Sequence, residues 1–273
     1  MRKRILSAVV LVPILLIILF AAPKIVTTIV VSFICAVAAF ELLYNTGLVR
    51  HPRMILYSMV IAAMIPLWSH FGELRIWAQL GIFIYFVLLF LEMMAAHMKL
   101  HFEKVCVCFT GGILIPYLLS SLVRIMIADT GRYVILVPFI VAFMQDSGAY
   151  FVGIFFGRHK MAPIISPKKS FEGLAGGVAT AVLSMLIYAG IVQIFFSQYV
   201  NVNYGYAVVY GFIGAFAGVF GDLCCSVIKR QTGIKDFGNL IPGHGGVLDR
   251  FDSVLVAAPL VETLLVLLPI ITR

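Results

Sequence analysis

The chain has 273 residues, 62% of them hydrophobic and 12% charged, with a mean hydropathy of +1.09. Soluble domains run nearer roughly 45–50% apolar and about 25% charged, so an ordinary soluble globule is excluded and an integral membrane protein is indicated. The net charge of +8 does not point to nucleic acid, because the basic residues sit in short clusters between apolar runs.

A helix needs about 17 or more apolar residues to cross the hydrocarbon. Hydropathy predicts an all-α, polytopic fold with about nine such spans, near 5–22, 25–44, 54–70, 76–96, 104–124, 132–152, 174–196, 206–228 and 251–270. The first, after Met-Arg-Lys-Arg, has the look of a secretory signal, but the spans behind it predict an uncleaved helix. No low-complexity segment or Pro/Ser-rich linker divides the chain, so one membrane domain is expected over 1–273. Most connections are short; 153–173 and 229–250 are the long ones. If the spans alternate, Lys24, Arg75, Arg124, Arg132 and Arg273 fall on one side, and the remaining 15 of the 20 Lys and Arg fall on the other. Basic loops stay cytoplasmic. The N-terminus is therefore expected inside, the C-terminus outside, and both long loops in the cytoplasm.

The sixth span ends near "FMQDSGAY", where Asp146 lies close to the cytoplasmic boundary. The loop after it, "FFGRHKMAPIISPKKSFEGLAGG", carries Ser166, Lys168, Lys169, Ser170, Glu172 and Gly173 among prolines and glycines. Lys and Ser donors with free backbone N–H groups match phosphate oxygens. In the eighth span, "GFIGAFAGVFGDLCCSVIKR", Gly211, Gly214, Gly218 and Gly221 lie within about 80° on one helix face. Small residues on one face let helices approach closely. The same face continues through Asp222, Ser226 and Lys229, and a carboxylate at membrane depth costs about 2.5–3.5 kcal/mol unless it meets a polar cavity, a partner charge or an ion. The second long loop, "KRQTGIKDFGNLIPGHGGVLDRFD", interleaves Lys229, Arg230, Lys235, Asp236, His244, Asp249, Arg250 and Asp252. Gly245 and Gly246 lead towards the last helix, whose N-terminal N–H groups are expected to be free for an anion. Three acidic faces should converge: Asp146, Asp222 and the Asp249/Asp252 pair.

The stretch from Ser226 to Asp252, "SVIKRQTGIKDFGNLIPGHGGVLDRFD", closely resembles the signature of the bacterial phosphatidate cytidylyltransferases, the CDP-diacylglycerol synthases. The resemblance extends to "DSGAYFVGIFFGRHKMAPIISPKKSFEG" and to the Gly-Asp-Leu of 221–223, so it covers roughly the C-terminal half, 131–273; the spans of 1–130 match only in hydrophobic character. One departure is Cys225, where many relatives carry Glu. The resemblance implies a nucleotidyl transfer in phospholipid synthesis: CTP plus phosphatidic acid gives CDP-diacylglycerol and pyrophosphate. Both substrates are anionic, and positioning with charge neutralisation by Mg²⁺ dominates such chemistry. Hard cations need oxygen ligands, and Asp222 and Asp249 are the expected metal residues for one cation or two. Lys229, Arg230, Lys235, Asp236, His244, Arg250 and Asp252 complete the expected catalytic set. Asp146, Ser166, Lys168, Lys169, Ser170, Glu172, Gly173, Ser226, Gly245 and Gly246 are expected to bind substrate. The family resemblance also implies a homodimer, in the bacterial inner membrane.

Two other functions fit parts of the pattern: another CTP-dependent lipid kinase, and an ion-coupled transporter with buried aspartates. No inverted repeat is evident, and the charged residues gather on the cytoplasmic side instead of along a transmembrane path. His51, His70, His97, His101 and His159 lack ligand spacing, and Glu41 and Glu92 sit near predicted cytoplasmic helix ends, where water is expected to reach them, with a cavity lining as the alternative for Glu41. Cys106-x-Cys108 lacks the second pair a zinc site needs. Cys225 lies about 60° from Asp222 on the glycine side, so a thiol reagent is expected to reach it and inhibit.

Overall fold

The computed structural model describes residues 13–96, 100–240 and 245–272. Seven helices among them are long and apolar enough to span a membrane: α1 (Lys24–Asn45), α2 (Pro52–His70), α3 (Gly72–Ala95), α4 (Phe102–Ile127), α5 (Gly131–Phe156), α6 (Phe171–Phe196) and α7 (Tyr204–Gln231). A four-residue helix α8 (Leu248–Phe251) and a 14-residue helix α9 (Val254–Leu267) follow. Four short strands complete the described elements: β1 (Lys160–Ala162), β2 (Ser166–Ser170), β3 (Asn201–Val202) and β4 (Ile271–Thr272). The first expected span falls partly outside the described residues, with 13–20 helical. The ninth departs from expectation, because the helix starting at Leu248 stops at Phe251. There the Asp252 side chain accepts the Ser253 N–H at 2.8 Å, a local bond that competes with the helical ladder.

The chain forms two compact units, residues 1–127 with 231–250, and residues 128–230 with 251–273. In the first, α1 packs along α2 and ends in a π-helical turn, Glu41–Asn45. A second π turn, Thr110–Leu114, interrupts α4, and its Gly111 lies so close to α1 that an added Cβ would sit 3.3 Å from Leu42 Cδ2. Leu43, Met54, Leu89, Val105 and Cys108 form the core between these helices. Within it the Tyr85 hydroxyl donates to the Cys108 carbonyl at 2.8 Å, since no water is available in lipid to satisfy such groups. The α3 helix turns Ile76, Trp77 and Phe83 outward, each more than 60% exposed, as suits a lipid-facing surface.

In the second unit α5 and α6 form a helical hairpin joined by the antiparallel β1–β2 pair. Glycine permits the close approach: a Cβ on Gly177 would lie 2.7 Å from the Gln145 carbonyl oxygen, and one on Gly173 would lie 2.8 Å from that of Ala149. The glycine face of α7 behaves as expected. Gly211 meets Val182 of α6, Gly214 and Gly218 meet Val141 and Ala142 of α5, and Gly221 meets the Asp252 carbonyl. From there α9 runs back along α7 until the Tyr210 hydroxyl donates to Leu268 O at 3.1 Å. The β3–β4 pair, Asn201↔Thr272 and Val202↔Ile271, then joins the α6–α7 turn to the residues following α9.

Candidate active site

The β1–β2 hairpin with α5, α6 and α7 encloses a cavity of about 270 Å³. Its polar lining comprises Gln145, Asp146, Tyr150, Ser166, Lys168, Lys169, Ser170 and Asp222, and Ala149, Met161, Gly173, Leu174 and Val219 complete the wall. Ser170 is extended and caps α6, its Oγ accepting the Gly173 N–H at 3.1 Å; such a cap fixes the strand-to-helix junction. Glu172, in the first turn, accepts the backbone N–H groups of Arg158 and His159 at 3.1 and 3.2 Å and the His159 ring at 2.5 Å. It therefore locks the entry to the hairpin and is not among the cavity-lining residues. Arg230 does similar work at the other side, donating from Nε to Ile165 O at 3.1 Å.

Charge is balanced around Asp222. Its carboxylate pairs with the Lys169 ammonium and accepts the Ser226 hydroxyl at 3.2 Å. Asp146 accepts the Ser253 hydroxyl at 3.1 Å. Asp252, in the turn before α9, has its carboxyl pushed up to about 7, by burial first and then by the neighbouring Asp222 carboxylate, with Lys229 opposing and Asp146 adding to the rise. Three of the four expected aspartates thus sense one another's charge in this unit, although no three His, Cys, Asp or Glu side chains among the described residues are grouped closely enough to hold a metal by themselves. Two residues stand differently from their sequence reading. Gln145 is not among the residues that the sequence singles out, yet it is 1% exposed, lines the cavity and has an amide oxygen without a hydrogen-bond partner. Its signal was available: a polar residue beside Asp146 in an apolar span. Cys225 does lie on the packed face of α7 but is only 2% exposed, so the thiol is covered and the expected reaction with a reagent is not supported.

The second loop belongs to the other unit and carries Lys235, Asp236, Gly245, Gly246, Asp249 and Arg250; His244 lies outside the described residues. Lys235, Asp236 and Arg250 are exposed, while Asp249 is buried. Asp249 Oδ2 accepts the N–H groups of Phe237 at 2.7 Å and Gly246 at 3.0 Å. The next two N–H groups, of Val247 and Leu248, go to the carboxylate of Glu41 at 2.9 and 2.8 Å. The anion site expected from free N–H groups at this helix start is thereby corrected. Carboxylates of the protein itself already use them, because orphan donors buried in a membrane protein must be met internally. Gly245 has φ +84°, a conformation that glycine adopts without steric cost.

The fold and site define a polytopic membrane protein with a cavity of lysines, hydroxyls and carboxylates suited to phosphate-bearing substrates. The chain belongs to the Cytidylyltransferase family, whose profile matches residues 2–268. It is 33% identical over 271 residues to a phosphatidate cytidylyltransferase of Bacillus subtilis, covering 98% of each chain. It is 35% identical to one of Rickettsia felis over 67% of this chain and 81% of that protein. A third, from Staphylococcus haemolyticus, is 41% identical over 136 residues, a match that spans half of either chain.

Proposed function

We propose that this protein is a nucleotidyltransferase that makes CDP-diacylglycerol and pyrophosphate from CTP and phosphatidic acid. The observation that carries this reading is the cavity lined by Ser166, Lys168, Lys169 and Ser170 opposite Asp146 and Asp222, in a chain of the Cytidylyltransferase family. An oxygen of the lipid phosphate attacks the α-phosphorus of CTP, and the bond to the β-phosphate oxygen breaks as pyrophosphate leaves. No covalent enzyme intermediate is needed. The lysines neutralise phosphate charge that would otherwise hold the two substrates apart, and Ser166 and Ser170 offer hydroxyls to phosphate oxygens. Lys229, Arg230, Lys235 and Arg250 supply further positive charge, and Asp236 and His244 are proposed, from the family motif, as further catalytic residues.

A divalent cation suits this chemistry, and the donor type fits it: Asp146 and Asp222 line one cavity, and carboxylate oxygens are what a hard cation takes. Asp222 and, from the family motif, Asp249 are the residues proposed to hold Mg²⁺, which when bound would act as Lewis acid towards the α-phosphate. We place the protein in the bacterial inner membrane, N-terminus and both polar loops in the cytoplasm and C-terminus outside, supported by the basic-residue asymmetry. A homodimer is proposed from the family resemblance alone.

The test is incubation of the purified protein in detergent with phosphatidic acid and labelled CTP, with and without EDTA. CDP-lipid plus pyrophosphate, abolished by EDTA, is expected. CDP with a newly phosphorylated lipid would mean a lipid kinase, and no turnover under any condition would favour a transporter.

A further inference from the structure

Glu41 lies far from the motif-bearing half of the sequence, yet it is only 2% exposed, and its position determines what it can do. It opens the π-helical turn of α1; such turns alter the direction of side chains within an otherwise regular helix and recur at functional sites. Both carboxylate oxygens are used: Oε1 accepts the Val247 N–H at 2.9 Å and Oε2 the Leu248 N–H at 2.8 Å. The loop is shaped around the carboxylate. A Cβ on Gly238 would lie 2.5 Å from Oε1, and one on Gly246 the same distance from Oε2, so a side chain at either place would displace the carboxylate. One turn along α1, Asn45 donates from Nδ2 to Phe237 O at 2.7 Å. Phe237 and Gly246 in turn donate to Asp249. The loop from Phe237 to Asp249 is thus tied at both ends, by Glu41 and Asn45 from α1 and by Asp249 from within.

We propose that Glu41, assisted by Asn45, is a positioning residue for the nucleotidyl transfer. It touches no reacting atom but sets the backbone of the segment that presents Asp249 and Arg250. This rests on the functional reading above. A buried carboxylate that accepts two backbone N–H groups is a strong, charge-assisted tie, and removing it would leave buried donors unmet. The α1 helix, which lies outside the motif-bearing half although the family profile extends across it, thereby acquires a part in the reaction.

The experiment compares wild type with Glu41→Gln, in which an amide NH₂ faces one of the two donors, and with the milder Asn45→Ala at an exposed position. Steady-state kinetics with CTP and phosphatidic acid is paired with hydrogen exchange read by mass spectrometry on the whole protein. For Glu41→Gln we expect kcat to fall about tenfold or more with the KM for CTP within about threefold. Exchange should quicken in peptides covering 237–250 and stay unchanged in α2, α4 and α6. Asn45→Ala should show the same pattern at reduced size, near Phe237. Unchanged kcat with unchanged local exchange would overturn the proposal; so would a loss of activity matched by faster exchange throughout the first unit, the mark of a merely structural role. If wild type makes no CDP-lipid, it is the functional reading that fails, and the exchange data still decide whether Glu41 holds the loop.

Discussion

Asp222 is the acidic residue whose place in the site the sequence makes plainest, because a carboxylate in an apolar helix demands a partner; the structure supplies Lys169 and Ser226. If Asp222 and Asp249 share a cation, Asp222→Asn and Asp249→Asn should each remove nearly all turnover while the protein inserts and purifies normally. The double variant should be no worse than the poorer single one, since residues serving one ion act as a unit. Asp252→Asn should lose less: burial favours the neutral form of its carboxyl, and an amide reproduces that form. Near-normal activity of either single variant with an unchanged Mg²⁺ requirement would sink this assignment. Gln145 makes a separate prediction. Gln145 lines the cavity and its amide oxygen has no hydrogen-bond partner, so Gln145→Leu, similar in volume but without the acceptor, should raise the KM for CTP or phosphatidic acid several-fold. A hydrogen bond to substrate is worth about 0.5–1.5 kcal/mol, which is the basis of that figure. Unchanged KM values for both substrates would remove it from the site. Gln145 stands in the shadow of Asp146, whereas Glu41, expected at a wetted helix end, is buried by contacts 206 and 207 residues away that no local pattern announces.

At the level of elements, the helices were legible because periodicity and hydropathy act locally, and the glycine face of α7 was read correctly from spacing alone. The β1–β2 hairpin was not. Its second strand is Ser-Pro-Lys-Lys-Ser, which lacks alternating apolar residues, and proline fits only because a two-stranded sheet offers an edge. What holds the hairpin is tertiary: the Glu172 and Arg230 ties to its backbone. Two glycines of α6 separate close packing from mere composition. A Cβ on Gly177 would lie 2.7 Å from a backbone oxygen of α5, whereas one on Gly190 would meet nothing within 4 Å. Gly177→Ala should therefore lower the midpoint of thermal unfolding, followed by fluorescence-detected size exclusion in detergent, by several degrees. The expected cost is that of overpacking, about 1–3 kcal/mol. Gly190→Ala should leave the midpoint unchanged or raise it, because alanine is the better helix former by about 1 kcal/mol. Equal shifts for the two would refute the packing of α5 on α6.

At the scale of the whole chain, orientation follows from arguments of different kind. Basic residues divide 15 to 5 if nine spans alternate, but a miscounted span would change that division. Within the second unit the count is checked independently. The β3–β4 pair joins the turn after α6 to residues 271–272, so these lie at the same end of the unit, and the β1–β2 hairpin precedes the opposite end of α6. The 14-residue α9 is short against a hydrocarbon core of about 30 Å. Its contacts with α7 from Gly221 to Tyr210 nevertheless carry the chain from one end of that unit towards the other. The hairpin should therefore face the cytoplasm, with the α6–α7 turn outside. In a background lacking the native cysteines, single cysteines at Ile164, 89% exposed in the hairpin turn, and at the exposed Asn239 should react with a membrane-impermeant maleimide only in inverted vesicles. A cysteine at the exposed Gln198 should react only in intact, right-side-out ones. Labelling of 164 and 198 from one side would contradict both the charge asymmetry and a membrane-crossing α6. Labelling of 239 from the side opposite 164 would leave α6 intact but remove the loop of Asp249 from the compartment that holds the nucleotide.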